Sequence, residues 1–377
     1  MTSSFQRLFL YISVFLFVGC TSNAISTDIP HVLGGYYGGT RPWFTDLRCY
    51  TLPAEDDSIR FVRFDTCSIK KPIFIFIQGS IPTPIVVDYG DALKNIGYDT
   101  PYYLPYGSFL DSLLLADFHI IEISQPYTPV VAPKENIDRH FAYYPNGLEN
   151  GFDRNYRLSH QANIYVDRIN RVVDFLAKQS WVAKDSIYLY GHSQGAYIAP
   201  LVASQNKHVA AIGISGLGPL GGTLTDVLEN RILALRGDFS EDEALLLNRQ
   251  EYSNWLYCRD STDLATIDKI QGDLPSTYLS FAPSQMELLA NLKQPVFCAY
   301  GTKDMSAITC DWLPLYFITH HKENYQIIVY KGRGHNFEMI NNGEENRNTS
   351  IVTWQEVTRS FVDFIRDTDR YQVFIDK

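Results

Sequence analysis

The sequence predicts an α/β fold: a doubly wound, mostly parallel sheet that carries a helical cap insertion. Three observations lead there. Short apolar runs rich in β-branched and aromatic residues recur along the chain, and stretches with apolar residues at three- and four-residue spacings separate them. Such strand–helix alternation is the pattern of a sheet covered on both faces. One long stretch, 221–294, breaks the rhythm by passing without a strand-like run. The 377 residues would suit two average domains, but one large domain with an insertion accounts for them equally well.

In chain order, residues 1–20 read as a targeting segment. Arg7 is the only charge before Asp28, and Leu8 to Val18 is almost wholly apolar. That is the make-up of a signal-peptide core, short of the roughly 20 residues that a membrane helix needs. Residues 21–57 are rich in Gly, Pro, Ser and Thr and are expected to form a tether and lead-in to a domain spanning 58–377.

The expected strands are Ile59–Phe64, Pro72–Gln78, Phe118–Ser124, Ser186–Tyr190, Val209–Ser215, Val296–Tyr300 and Tyr325–Tyr330. Several are unbroken apolar runs, as strands buried on both faces are. Between them, Val166, Ile169, Val173 and Leu176 fall on one face of a helix, and so do Trp354, Val357, Phe361 and Phe364. The cap at about 221–294 has apolar residues of its own, including Leu245, Leu246, Leu247, Trp255, Leu256 and Tyr257, which are expected to bury against the end of the sheet. A second insertion, Gln125–Ser159, is rich in Tyr, Pro and Asn. Its Tyr127, Phe141, Tyr143 and Tyr144, with Trp255 of the cap, are candidates for lining a pocket and equally for packing in the core.

Charge and cysteine content exclude several functions. With 32 Lys+Arg against 42 Asp+Glu the net charge is −10, and no basic cluster exceeds a couple of residues. Nucleic acid is therefore not an expected partner, because phosphate binding needs a basic surface. Beyond Cys20, Cys49, Cys67, Cys258, Cys298 and Cys310 are an odd number, which leaves at least one thiol free. The pairs Cys49–Cys67 and Cys258–Cys310 stay open. There is no Cys-x-x-Cys and no His-Glu-x-x-His, and adjacent His320 and His321 would diverge on a helix. Neither a metal site nor a cofactor is expected.

Chemistry is concentrated in three places. Gly191-His192-Ser193-Gln194-Gly195 follows the strand Ser186–Tyr190 and precedes a small-residue helix, Ala196–Ala203. A Ser in such a turn is strained and exposed, and the helix amino end faces any oxyanion that forms beside it. Asp304 follows Val296–Tyr300 in Gly301-Thr302-Lys303-Asp304, and His335 follows Tyr325–Tyr330 in Gly332-Arg333-Gly334-His335. In a parallel sheet the carboxyl ends of the strands share one edge, so Ser193, Asp304 and His335 can meet. Asp304 is also a turn-forming residue type, with Asp226 and Asp311 as other acids, and His192 reads as a packing neighbour of the turn. Gly216-Leu217-Gly218-Pro219-Leu220-Gly221 matches Gly-x-Gly-x-x-Gly, but Pro219 and Gly222 argue for a hinge into the cap over a dinucleotide site.

From Ile59 onward the chain resembles the α/β-hydrolase superfamily, on the three motifs just given and on their order, Ser then Asp then His. The resemblance implies Ser193 as nucleophile, His335 as general base and Asp304 as the acid that orients it. It implies an oxyanion hole from the backbone N–H of Gln194 and of Ser80, in the loop Gln78-Gly79-Ser80-Ile81-Pro82. That loop lacks the His-Gly pair common in the family. The end of the first segment, Leu16-Phe17-Val18-Gly19-Cys20, resembles a bacterial lipoprotein signal with Phe17 in place of Leu, and implies lipidation at Cys20.

Together these imply an exported serine hydrolase of the bacterial cell envelope, held to the membrane by an N-terminal lipid anchor. It would act on a small-molecule or peptide acyl substrate: a carboxylic ester, or an amide or peptide, cleaved through an acyl-enzyme on Ser193. Two alternatives stand beside it: an acyltransferase with the same triad, and a non-catalytic binding lipoprotein on a hydrolase scaffold.

Overall fold

The computed structural model describes residues 24–34, 43–107, 114–148, 151–260, 274–341, 344–346, 350–367 and 373–376. The expected signal segment 1–20, with Cys20, lies outside the described residues. No described helix is long and apolar enough to cross a membrane.

Ten strands build the main sheet: β1 (Ile25–Gly34), β2 (Trp43–Leu52), β3 (Ile59–Arg63), β4 (Lys71–Ile77), β5 (His119–Ile123), β6 (Val182–His192), β7 (Val209–Ser215), β8 (Val296–Gly301), β9 (Tyr325–Tyr330) and β10 (Val373–Asp376). Their order across the sheet is β10-β9-β8-β7-β6-β4-β5-β3-β2-β1, and the short strands Tyr102–Tyr103, Val86–Asp88 and Val131–Pro133 continue beyond β1. From β5 to β10 every pairing is parallel, whereas β3 runs antiparallel to β5, and β2 and β1 follow antiparallel in turn. This is a doubly wound, mostly parallel sheet in the α/β-hydrolase arrangement. All seven expected strands are present, with bounds shifted by a few residues at most.

The unbroken apolar runs are explained by a core on each face. In β4, Ile73, Ile75 and Ile77 face one core, while Phe74 and Phe76 face the other. β6 divides the same way, Ile187 and Leu189 to the first core and Tyr190 to the second. Side chains alternate along a strand, so a strand covered on both faces must be apolar at every position. The first core is closed by helices at Ala162–Leu176 and Gln194–Gln205, the second by Ser350–Arg366, whose Trp354, Val357, Phe361 and Phe364 are buried. Phe361 packs on Phe74, Tyr190 and Phe297. Gly213 of β7 makes room there, because a Cβ on it would lie 2.4 Å from the Tyr190 ring.

One expectation is corrected. The segment 21–57 is not a tether throughout: β1 and β2 are sheet strands that extend the antiparallel edge beyond β3. Val32, Leu33, Leu47, Tyr50 and Leu52 are buried, while Asp28 and Arg48 pair across an exposed face at 2.9 Å. That polar face gave the segment its lead-in composition. The two cysteine pairs left open by the sequence are not formed: Cys49 and Cys67 are both free thiols, and so is Cys310, the partner considered for Cys258.

The insertion after β7 is helical, as expected, with segments Gly222–Arg236, Glu241–Asp260, Pro275–Phe281 and Met286–Asn291. Met286, Leu289 and Ala290 of the last belong to the first core, so the cap proper ends near Phe281. Its apolar residues do not bury as expected. Leu245, Leu246, Trp255, Leu256 and Tyr257 stay exposed, because the stripe that Glu241–Asp260 turns inward is Ala244, Asn248, Glu251 and Cys258. The cap leaves and rejoins the body at one neck. Gly221 has φ 87°, a Cβ on it would lie 2.0 Å from the Ala282 carbonyl oxygen, and the Gln285 N–H donates to Pro219 O at 2.7 Å.

Phe361→Ala should lower stability by about 3–5 kcal/mol, the usual loss for a large aromatic removed from a packed core. Urea denaturation of the two proteins measures it.

Candidate active site

β6 runs directly into the elbow. Gly191 and His192 are its last residues, and Gln194 opens the helix α3 (Gln194–Gln205), which follows α1 (Arg154–Ser159) and α2 (Ala162–Leu176). Ser193 between them has φ 56° and ψ −122°. An L-residue is held there against about 1–3 kcal/mol of strain. The two flanking glycines make the turn possible. A Cβ on Gly191 would lie 2.1 Å from the Gly195 carbonyl oxygen, and one on Gly195 would lie 2.1 Å from that of Ile77. The Ser193 N–H donates to Ser215 O at 2.9 Å, which ties the elbow to β7. Gln194, as the first helical residue, has an N–H with no acceptor inside the helix.

Asp304 and His335 meet as the strand ends required. His335 Nδ1 lies 3.0 Å from Asp304 Oδ2, and Asp304 Oδ1 accepts from the Ser306 N–H at 3.0 Å. The two loops touch backbone to backbone: Lys303 N–H donates to Arg333 O at 2.8 Å, and a Cβ on Gly301 would lie 2.2 Å from that same oxygen. Burial alone would raise the Asp304 carboxyl, but the hydrogen bond and charge of His335 and the Ser306 N–H outweigh it and hold the group below the carboxylate range. Burial likewise opposes charge on His335, yet the Asp304 bond and charge, with the Glu338 carboxylate, raise it above 6.5.

His192 is the packing neighbour that the sequence suggests. Its Nδ1 lies 3.0 Å from Ser215 Oγ, its Nε2 3.2 Å from Asn336 Oδ1, and Trp354 meets its ring edge-on at 4.5 Å. Burial, then the charge of His335 beside it, pushes His192 down to about 3, so it stays neutral. Both imidazoles crowd Gly216. A Cβ there would lie 2.8 Å from His192 Cε1 and 2.9 Å from His335 Cε1. Ser193, tied to Ser215, and His335, against Gly216, are thus brought to one turn, although no hydrogen bond joins the Ser193 hydroxyl to His335 in this arrangement. The Gly-x-Gly-x-x-Gly run that begins at Gly216 is accounted for by packing: Gly218 faces Thr225, and Gly221 faces Ala282. Of the other acids, Asp311 accepts from the Tyr300 hydroxyl at 2.5 Å, and Asp226 lies in the cap.

Ser193, Gln194 and Ser80 line a cleft of about 660 Å3 between the sheet edge and the cap. Among the aromatics expected there, only Tyr144 lines it; Tyr127, Phe141, Tyr143 and Trp255 do not. Phe141 stacks on Tyr103, and Trp255 packs on Tyr278 at the cap surface. The walls are instead Phe152, Tyr156, Tyr197 and Phe281, with Arg157, His160 and Asp226 as polar members. Among these, Tyr156 and His160 are four residues apart, a spacing that signals one shared face. Burial, with the Glu251 and Glu229 carboxylates nearby, raises Asp226 to about 6.

One set of described residues has metal-ligand character: Asp65, Cys67 and His119. It lies at the amino end of β5, away from the cleft. His119 already meets Asp65 Oδ2 through Nδ1 and the Ile69 carbonyl through Nε2, both at 2.8 Å, and the Arg63 guanidinium lies 3.3 Å from Asp65. An arginine thus supplies positive charge beside the carboxylate.

Gly301→Ala should force the two loops apart and break the Asp304–His335 bond. His335 should then titrate lower, toward 6.5, in histidine NMR spectra; an unmoved titration would contradict this account of the pair.

No protein-family model matches the chain, and no curated protein matches it. Among solved structures, the chain is similar to an alpha/beta hydrolase, GrgF, from Penicillium sp. sh18, at 16% identity and TM-score 0.44 over 85% of this chain and 98% of the other. It is similar to a thioesterase domain from the curacin biosynthetic pathway at 12% identity and TM-score 0.44, over 84% of this chain and 99% of the other. The acylaminoacyl peptidase of Pyrococcus horikoshii is similar at 13% identity and TM-score 0.47, over 86% of this chain and 41% of the other. The fold stands on the strand order and pairings, which are those of an α/β-hydrolase sheet.

Proposed function

We propose that the chain is a serine hydrolase that cleaves a carboxylic ester, or an amide or peptide, through an acyl-enzyme on Ser193. The observation that carries this reading is the 3.0 Å contact between Asp304 Oδ2 and His335 Nδ1 at the turn where the strained Ser193 elbow sits. With Asp304 holding the Nδ1 proton, the free lone pair of the imidazole is on Nε2. In the reacting complex Nε2 takes the Ser193 proton as Oγ attacks the acyl carbon. The oxyanion that forms is met by the N–H groups of Gln194 and Ser80, the first carrying the favourable end of the α3 dipole. The imidazolium then returns the proton to the leaving alcohol or amine. Water then gives its proton to His335 as its oxygen attacks the acyl carbon, and the imidazolium passes that proton to Ser193 Oγ as the acyl–oxygen bond breaks, releasing the acid and restoring both residues.

Fluorophosphonate labelling tests the nucleophile without a known substrate. The wild-type protein should label, and Ser193→Ala should not; labelling that persists in the variant would rule out Ser193. His335 must be neutral to act as a base, so the rate should fall as pH drops through its value, which lies above 6.5. In Asp304→Asn the rate should drop by about 10⁴-fold, because the amide favours the wrong tautomer, and the acid limb should move to lower pH. Pre-steady-state labelling across pH measures both.

Export and lipid anchoring through Cys20 belong to the same proposal and rest on residues 1–20 alone. Cys20→Ala should abolish partitioning of the full-length protein into the detergent phase. Unchanged partitioning would point to a retained membrane helix.

A further inference from the structure

The segment between β5 and α2 makes three contacts with the two loops that would hold an acyl oxygen. Gln125 Nε2 donates to the Gly79 carbonyl at 2.5 Å. The Tyr156 hydroxyl donates to the Ser80 carbonyl at 2.5 Å. His160 Nε2 lies 2.7 Å from Gln194 Oε1. Tyr156 and His160 fall four residues apart, and their rings pack edge-on at 5.3 Å, so one short stretch of chain reaches both loops.

The first contact sets a direction. A peptide group is planar and trans, so the Gly79 C=O and the Ser80 N–H point opposite ways. A donor that holds the carbonyl on one side turns the N–H to the other. A Cβ built on Gly79 would lie 3.5 Å from Ser193 Cβ and 3.8 Å from Ser193 Oγ, so this peptide sits against the nucleophile. A hydrogen bond to a carbonyl also polarises its peptide and strengthens the N–H as a donor. Gln125 is 4% exposed, and its Oε1 has no hydrogen-bond partner among the described residues. A buried acceptor left unpaired is unfavourable, so the burial of this amide is tied to the bond that it donates. The residue before Gly79 is fixed as well, with Gln78 Nε2 donating to the buried Glu122 Oε1 at 3.1 Å.

We propose that Gln125 and Tyr156 are positioning residues for the oxyanion hole, holding the peptides on either side of Ser80 so that its N–H faces the Ser193 adduct, with His160 steadying the Gln194 side. The role rests on the serine-hydrolase reading of Ser193. None of the three touches the reacting atoms in it; each acts through a loop that does.

The test is the second-order rate of fluorophosphonate labelling of the full chain, because the phosphoryl oxygen of the adduct occupies the oxyanion hole. Gln125→Met keeps the length of the side chain and removes its donor. The rate should fall about 10- to 100-fold, less than the roughly 10²- to 10³-fold lost with an entire donor. Tyr156→Phe deletes one hydroxyl and should slow labelling in the same sense, and it carries the test should Gln125→Met fail to fold. The acid limb of the rate against pH should stay in place in both, since it reports His335. Wild-type rates in the folded variants would overturn the positioning role. A slower rate with a displaced acid limb would overturn it too, because the damage would then lie at His335. No label on the wild-type protein would overturn the serine-hydrolase reading, and the positioning role with it.

Discussion

At the carboxyl edge of the sheet, backbone lies on backbone wherever the chemistry converges. Gly195 rests against the Ile77 carbonyl, Gly191 against that of Gly195, and Gly301 against that of Arg333, each so close that a methyl group would overlap the oxygen. A seven-strand parallel run can deliver its loops to one edge, but their separation is then set by the thickest side chain between them. Glycine removes that limit. The elbow can lean on β4, and the Asp304 loop can touch the His335 loop. The Asp304–His335 bond, the Ser193 strain and the Gly79 approach to Ser193 all depend on distances that a Cβ at these positions would not permit.

Two imidazoles stand 4.9 Å apart at this edge and are driven in opposite directions. His192 is enclosed by Trp354, Phe337 and Ser215, finds no carboxylate in contact, and remains neutral. His335 is half exposed and bonded to a buried acid, so its protonated form is favoured. The nearness of the pair is tolerable because only one of them carries charge. His192 then acts as filler with fixed polarity, presenting the same hydrogen-bonding face to Asn336 whatever the state of its neighbour.

Much of the architecture was legible in the sequence because its signals are local. Ile73 to Ile77 and Ile327 to Tyr330 are apolar at every position, and only a strand between two cores demands that. The Ser193, Asp304 and His335 motifs were readable because each follows such a run. The β1–β2 hairpin was not, since Asp28 and Arg48 pair across an exposed face and look like loop composition one by one. The cleft wall was mostly misread for a related reason. Across most of the insertion nothing periodic fixes which way a ring points, so Phe141 and Tyr143 turn away while Phe152 turns in. The Gln78–Pro82 loop falls between these cases: Ser80 lines the cleft with Ser193, but the side chains that anchor its peptides come from residues 125 and 156, too far along the chain for spacing to reveal.

The neck of the cap has a consequence of a different order. Because Gly221 and Ala282 adjoin, the whole helical excursion begins and ends at almost one point, and the sheet beneath would close over it with little rearrangement. Insertions whose ends meet are those a host domain tolerates best. The chain is therefore modular at this spot: the cap can be lengthened, shortened or exchanged over generations while the Asp304–His335 pair and the Ser193 elbow stay untouched.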